Sequence, residues 1–271
     1  MRYHVRSMDI ATTSTPGAAR PWLRTFLIIF TGQAFSLLGS SAVNFALVWW
    51  LTAETGSAAI LAYASIAALM PQAALGPLAG PFIDRWDRRR TMMFADLFIA
   101  ATSVGLIVVF STGGAAVGVI IAVLALRSIG AGFHTPASQA AVPMYVPQEQ
   151  IMRVAGWNFF LGSGVAMAGP VLGAFLMGVA PVAAVIAVDI VGALLAVASL
   201  LLVRIPHPLK PVGEPAVSGL AAEFAEGWHE LVRHRALLYL TLVLTVVTLL
   251  YMPLNALFPL MTFEHFDGGA V

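Results

Sequence analysis

The chain has 271 residues, 59% of them hydrophobic and only 10% charged, with a formal net charge of +1 and no cysteine. Soluble domains carry about 25% charged residues, so this composition excludes a water-soluble body, and the near-zero charge excludes a basic face for nucleic acid. The absence of thiols excludes disulfides, thiolate metal sites and cysteine nucleophiles.

Residues 1–23 are polar and Arg-containing, and lack the apolar core and small-residue cleavage site of a signal peptide. They read as a cytoplasmic tail, with 11–19 its least structured part. A bilayer core about 30 Å thick needs about 20 apolar residues per helix. Seven stretches qualify: 25–51, 57–83, 91–110, 116–137, 150–178, 181–203 and 236–260. They are apolar around the whole helix and do not alternate as barrel strands do. The predicted fold class is therefore an all-α integral membrane bundle. Trp49 and Trp50 at one end of the first span, and Trp22 at the other, are expected in the interfacial belt.

Lys and Arg set the orientation. The turns at 52–56, 111–115 and 179–180 hold no basic residue, whereas Arg85, Arg88, Arg89 and Arg90 crowd the turn between spans two and three. If the tail is inside, all 14 basic residues except Arg127 fall on that side. The amino terminus is therefore expected in the cytoplasm and the segment after span seven outside. The division predicted is 1–23 tail, 24–204 a six-helix transmembrane half, 205–235 a cytoplasmic linker and 236–271 the first helix of a second half. The linker opens Pro-rich, with Pro206, Pro208, Pro211 and Pro215. It continues with an amphipathic pattern over 219–232, expected to lie at the inner interface.

The loop Gly80-Pro-Phe-Ile-Asp84-Arg85-Trp86-Asp87-Arg88-Arg89-Arg90 is the most specific signal. Gly76 and Gly80 have the small-xxx-small spacing that permits close helix approach. Asp84 ends span two, where the helix carries a partial negative charge and a carboxylate needs an offsetting partner. Span five offers Gly162, Ala166, Gly169 and Gly173 within about 60° of one another, a smooth groove, and Pro170 favours a bend there.

The first motif resembles the Gly-x-x-x-Asp-Arg-x-Gly-Arg-Arg signature of the major facilitator superfamily, with Asp87 where the commonest form has Gly. An acidic residue there is similar to the branch of macrolide-efflux proteins and the enterobactin exporter. So is Gly132-Phe133-His134-Thr135-Pro136-Ala137. The order Gly169-Pro170-x-x-Gly173 resembles the family's antiporter motif. The resemblance implies a carrier of about twelve helices in two halves, rocking about a central cavity. It implies gating by Gly80, Asp84, Arg85, Arg88 and Arg89, with Asp87 at the variant position. It also implies antiport along the groove of Gly162, Gly169, Pro170 and Gly173. The activity implied is proton-driven export of an amphipathic small molecule, such as a macrolide-like drug or siderophore. An importer or lysophospholipid flippase of the same fold is the alternative. The chain ends just after span seven, so a truncated carrier lacking its carboxy-terminal half, which does not transport alone, is also expected.

Arg127 near the centre of span four costs about 2.5–3.5 kcal/mol to insert, so it is expected to face a partner or a wet cavity. Asp189 in span six lies at similar depth and is a candidate partner, although sequence does not establish that the two spans touch. Asp96, Gln33, Asn44 and Asn158 complete the candidates for proton coupling or substrate contact, with Gln72 a further cavity-lining amide. His229 and His234 are five apart, about 140° around a helix, and cannot share a metal as an i, i+4 pair would. There is no Walker-type loop and no Gly-x-Ser-x-Gly elbow. No enzyme activity, metal or cofactor is predicted; the expected partners are the bilayer, protons and a small-molecule substrate.

Overall fold

The computed structural model describes residues 21–205 and 228–265. Residues 1–20 of the tail, 206–227 of the linker with most of its expected amphipathic stretch, and 266–271 lie outside the described residues, as do the side chains of Asp84 and Arg85; 228–233 are helical. In lipid no water satisfies backbone N–H and C=O groups, so continuous apolar runs close their hydrogen bonds within helices. The helices are α1 Pro21–Thr55, α2 Ala58–Arg85, α3 Arg88–Ser111, α4 Val117–Tyr145, α5 Ile151–Val179, α6 Val182–Leu202 and α7 Arg235–His265. Among the described residues, α1 to α6 are each long and apolar enough to cross a membrane.

Six of the seven expected spans match within a few residues. The fourth runs eight residues further, to Tyr145, through Pro136 and Pro143. In the bundle, neighbouring helices hold the segment and the bend is tolerated.

The main pairings are α5 with α1, α1 with α6, α6 with α3, α3 with α4, and α4 with α2. The helices therefore follow one another in space in the order α5, α1, α6, α3, α4, α2. Chain neighbours α4 and α5 lie apart. The two helices at the ends of that series are the barest: 11% of the membrane-length stretch of α2 and of α5 is buried, against 50% for α6. Helix α7 contacts α1 and α2. Trp49 is buried and stacked on Phe45, with ring centroids 6.0 Å apart, rather than lying at a lipid-facing belt.

Glycines set how closely α1 and α6 approach. A Cβ on Gly192 would stand 2.6 Å from the carbonyl oxygen of Phe35, so only hydrogen fits there. The core has two apolar clusters. One, at the end of the α1–α2 turn, includes Leu47, Leu51, Leu61, Leu106, Ile120 and Ile186. The other, at the end of the α2–α3 loop, includes Ile29, Ile83, Met92, Ala141 and Leu200. Between them lie the buried charged side chains Asp96, Arg127 and Asp189.

Candidate functional site

The first layer centres on Arg127 and Asp189. Arg127 Nη1 stands 2.8 Å from Asp189 Oδ2, with the side chains 5% and 0% exposed. Helix α3 lies between their helices and supplies Ser103, whose Oγ donates to Asp189 Oδ2 at 2.5 Å and accepts from Arg127 Nη1 at 2.6 Å. Ser40 of α1 donates to Asp189 Oδ1 at 2.7 Å. Four helices thus converge on one carboxylate. Charges taken out of water hold only when paired and hydrogen-bonded, and removing one partner costs about 3–5 kcal/mol. The pairing suggested by similar depth is therefore present, bridged by a helix that sequence did not place there.

Arg127 Nη2 has no hydrogen-bond partner among the described residues. Arg127 also lines a cavity of about 90 Å³ with Ser40, Asn44, Gln72 and Ser128. The backbone N–H of Gln72 donates to Ser128 Oγ at 3.1 Å, tying α2 to α4 on one wall. A guanidinium with a spare donor, two amides and two hydroxyls around such a space can hold oxygen-bearing groups or water.

The second layer surrounds Asp96 of α3. Gln33 Nε2 and Ser36 Oγ of α1 each donate to its carboxylate at 3.2 Å. His134 Nε2 of α4 stands 3.6 Å from Asp96 Oδ1. Of the candidates from sequence, Arg127, Asp189 and Asn44 come together in the first layer and Gln33 and Asp96 in the second. Asn158 is exposed on α5, away from both.

Sequence reasoning missed Ser36, Ser40, Ser103 and His134. Spacing could have found them. Gln33, Ser36, Ser40 and Asn44 recur every three or four residues along one face of α1. Asp96 and Ser103 on α3, and Arg127 and His134 on α4, are both seven residues apart, two turns along one face.

At the α2–α3 loop, Asp87 is the N-cap of α3 and accepts from the Arg90 backbone N–H at 3.2 Å. Arg89 donates to the carbonyls of Leu200 and Leu201 at 2.7 and 3.1 Å, capping the carboxyl end of α6. Arg88 Nη1 approaches Met144 Sδ of α4 at 3.3 Å. A Cβ on Gly76 or Gly80 would meet nothing within 4 Å, so neither marks a close approach among the described residues.

On α5, Gly169 and Gly173 face α1. A Cβ on Gly169 would collide with the Ser41 side chain, and one on Gly173 would come 2.8 Å from the Ala42 carbonyl oxygen. Gly162 meets nothing within 4 Å, so the structure brings only the Pro170 end of the four-residue groove against another helix.

The chain is 38% identical to macrolide efflux protein A of Streptococcus pyogenes over 253 residues, covering 92% of this chain and 62% of that protein. Against macrolide efflux protein A of Enterococcus faecalis it is 38% identical over 219 residues, 80% of this chain and 66% of that protein. With the multidrug efflux pump Tap of Mycobacterium bovis the identity is 26% over 250 residues, 89% of this chain and 58% of that protein. The chain thus spans about three fifths of the length of the curated relatives it matches. The sequence model of the Major Facilitator Superfamily matches residues 29–271, and with an all-helical bundle of membrane-length helices around a buried Arg–Asp pair, this multi-pass membrane chain belongs to that transporter family.

Proposed function

We propose that this chain carries out proton-driven export of amphipathic small molecules, macrolide-like compounds foremost, across the cell membrane by alternating access. The observation that carries the reading is the buried Arg127–Asp189 pair beside a polar cavity. Charges inside membrane-spanning helices are costly and characteristically mark substrate or ion pathways. The substrate class is supported by the names of its relatives.

Alternating access needs a facing half. The exposed faces of α2 and α5 supply the surface on which a second six-helix half would rock. Phe159, Phe160, Met167 and Phe175 stand 63–79% exposed on α5. Gly169 and Gly173 keep α5 close to α1, and Pro170 gives the helix a place to bend. The arginines of the α2–α3 loop support a cytoplasmic position for that end, and with it a cytoplasmic amino terminus. Asp84, Arg85 and Arg88 form the gate there, with Gly80 at the end of α2 and Arg89 anchoring α6.

The test is efflux of a compound panel from cells carrying the gene, with and without a protonophore. Collapse of the proton gradient should restore drug accumulation. Efflux that continues unchanged removes the antiport reading. Uptake, or lipid movement in vesicles, turns the reading toward an importer or a flippase.

A further inference from the structure

Two helical turns from the Arg127–Asp189 pair lies a second buried acid, Asp96, with no Lys or Arg paired to it among the described residues. Asp96 is 2% exposed, and its two hydrogen-bond donors, Gln33 and Ser36, are neutral. The group facing it from α4 is His134, itself 8% exposed. At 3.6 Å, His134 Nε2 is too far from Asp96 Oδ1 for a hydrogen bond, and this nitrogen has no hydrogen-bond partner among the described residues. A shift of a few tenths of an ångström brings the two within reach.

Among the described residues, no other charged group is paired with either side chain. Helix α1 presents Gln33 and Ser36 at this level, and its charged residues Arg24 and Glu54 lie near its two ends. Helix α2 has no charged residue before Asp84, and its phenol, Tyr63, is exposed near the opposite end. On α3, Arg88 to Arg90 lie two turns away at the loop. On α4 itself, Arg127 is seven residues off, about 10 Å along the helix, and is engaged by Asp189. The first layer is neutral as it stands. With Asp96 ionised, the second carries a charge of −1 while His134 is neutral and zero once the pair holds one proton. An uncompensated carboxylate in an apolar interior is costly, and histidine is the side chain that ordinarily changes charge between about pH 5 and 8.

We infer that His134 and Asp96 form a proton-binding pair, separate from Arg127–Asp189, that holds the coupling proton of the transport cycle. A proton from water adds to His134 Nε2, and the N–H so formed donates to Asp96 Oδ1. No other bond changes, and the same proton leaves to water when the pair opens. Closing the pair draws α4 toward α3 and α1 at the α2–α3 end of the bundle. Proton occupancy is thereby tied to the packing of the two helices that also hold Arg127 and Ser103. The coupling role rests on the antiport reading above; proton binding by the pair does not.

Two measurements separate them. In inverted vesicles from cells carrying the gene, substrate addition should dissipate a preset pH gradient, read with a quenched amine dye. His134→Gln and Asp96→Asn should each reduce that dissipation at least tenfold and flatten the pH profile of transport. Variant vesicles that dissipate the gradient like wild type, with the same pH profile, overturn the inference and leave antiport standing. Wild-type vesicles that export substrate without moving protons overturn antiport and the coupling role together.

The second measurement keeps His134 in place. His134 is the only one of the six histidines within α1–α6, so replacing the other five by Gln leaves a single reporter. Its ring nitrogens, labelled with 15N in the purified protein, should pass from the neutral to the cationic pattern as the pH is lowered over the range in which the protein stays folded. Asp96→Asn in the same background should alter that titration. A ring signal that stays fixed across the range overturns proton binding at His134, whatever the vesicles show.

Discussion

Gly39 of α1 lies directly against the backbone of Asp189: a Cβ at Gly39 would stand 2.7 Å from the Asp189 Cα and 3.2 Å from its backbone nitrogen. The obstacle is main chain, which cannot rotate away as a side chain can. Gly39→Ala should therefore push α1 off α6 just where Ser40 donates to the Asp189 carboxylate. The expected cost is about 1–3 kcal/mol, the range for overpacking, read as a lower Tm in detergent together with loss of efflux. Gly105→Ala is the control. A Cβ there meets nothing within 4 Å, and alanine's better helix propensity should leave stability equal or higher by up to about 1 kcal/mol. Equal Tm for the two variants would remove the close-packing account of α1 and α6.

The ion pair makes a sharper prediction. Arg127→Ala strands Asp189, and Asp189→Asn strands Arg127; each should cost about 3–5 kcal/mol of stability. The double change Arg127→Leu with Asp189→Leu removes both charges and should recover protein abundance in the membrane relative to either single variant. Export should stay absent in all three, and also in Arg127→Lys, whose single ammonium lacks the second nitrogen, Nη2, that Arg127 leaves unengaged beside the pair. Full efflux by the double-leucine variant would show that the pair is structural only.

How much of this was legible in sequence differs between levels. The helices were, because lipid forces every long apolar run to satisfy its own backbone. The charged pair was half legible. Arg127 and Asp189 stood out as intramembrane charges. Their union through Ser103 depends on α3 lying between α4 and α6, and chain order does not encode which spans touch. Serines at positions 40 and 103 are common in membrane helices as interhelical glue. They become site residues only once Asp189 is placed between them. His134 was read as part of a family-like segment. Its closeness to Asp96 appears only when α3 and α4 are set in register. Asp87 is the reverse case. It stood out as the exception to a family pattern, yet Asp followed by a helical run is itself an N-cap signal.

That N-cap gives the third prediction. Asp87→Ala removes the acceptor for the Arg90 N–H and should cost about 0.5–2 kcal/mol, whereas Asp87→Gly should cost only a few tenths. Chemical denaturation of the purified protein, followed by helical circular dichroism, should rank wild type and Gly close together with Ala below. If Ala and Gly lose equal stability, capping is not what Asp87 contributes, and its tie to Arg90, 3.6 Å away, becomes the better account.

The groove on α5 supplies the last. Only part of it touches α1, so its glycines should not behave alike. Gly162→Ala should leave both folding and efflux unchanged, since nothing lies within 4 Å of the added methyl. Gly173→Ala should lower both, because the Ala42 carbonyl at 2.8 Å and the Phe45 ring at 3.0 Å leave no room. Gly169→Ala tests sliding more finely. Its obstacle is the Ser41 side chain, so pairing it with Ser41→Ala or Ser41→Gly should relieve part of the clash. If the groove serves only packing, the paired variant should regain stability and efflux together. If α5 must move along α1 during transport, stability should return while the maximal efflux rate stays depressed. Measuring Tm and the drug-concentration dependence of efflux on the same preparations tells the two apart, and a normal rate in the paired variant would dismiss the sliding role of the Gly169–Pro170 segment.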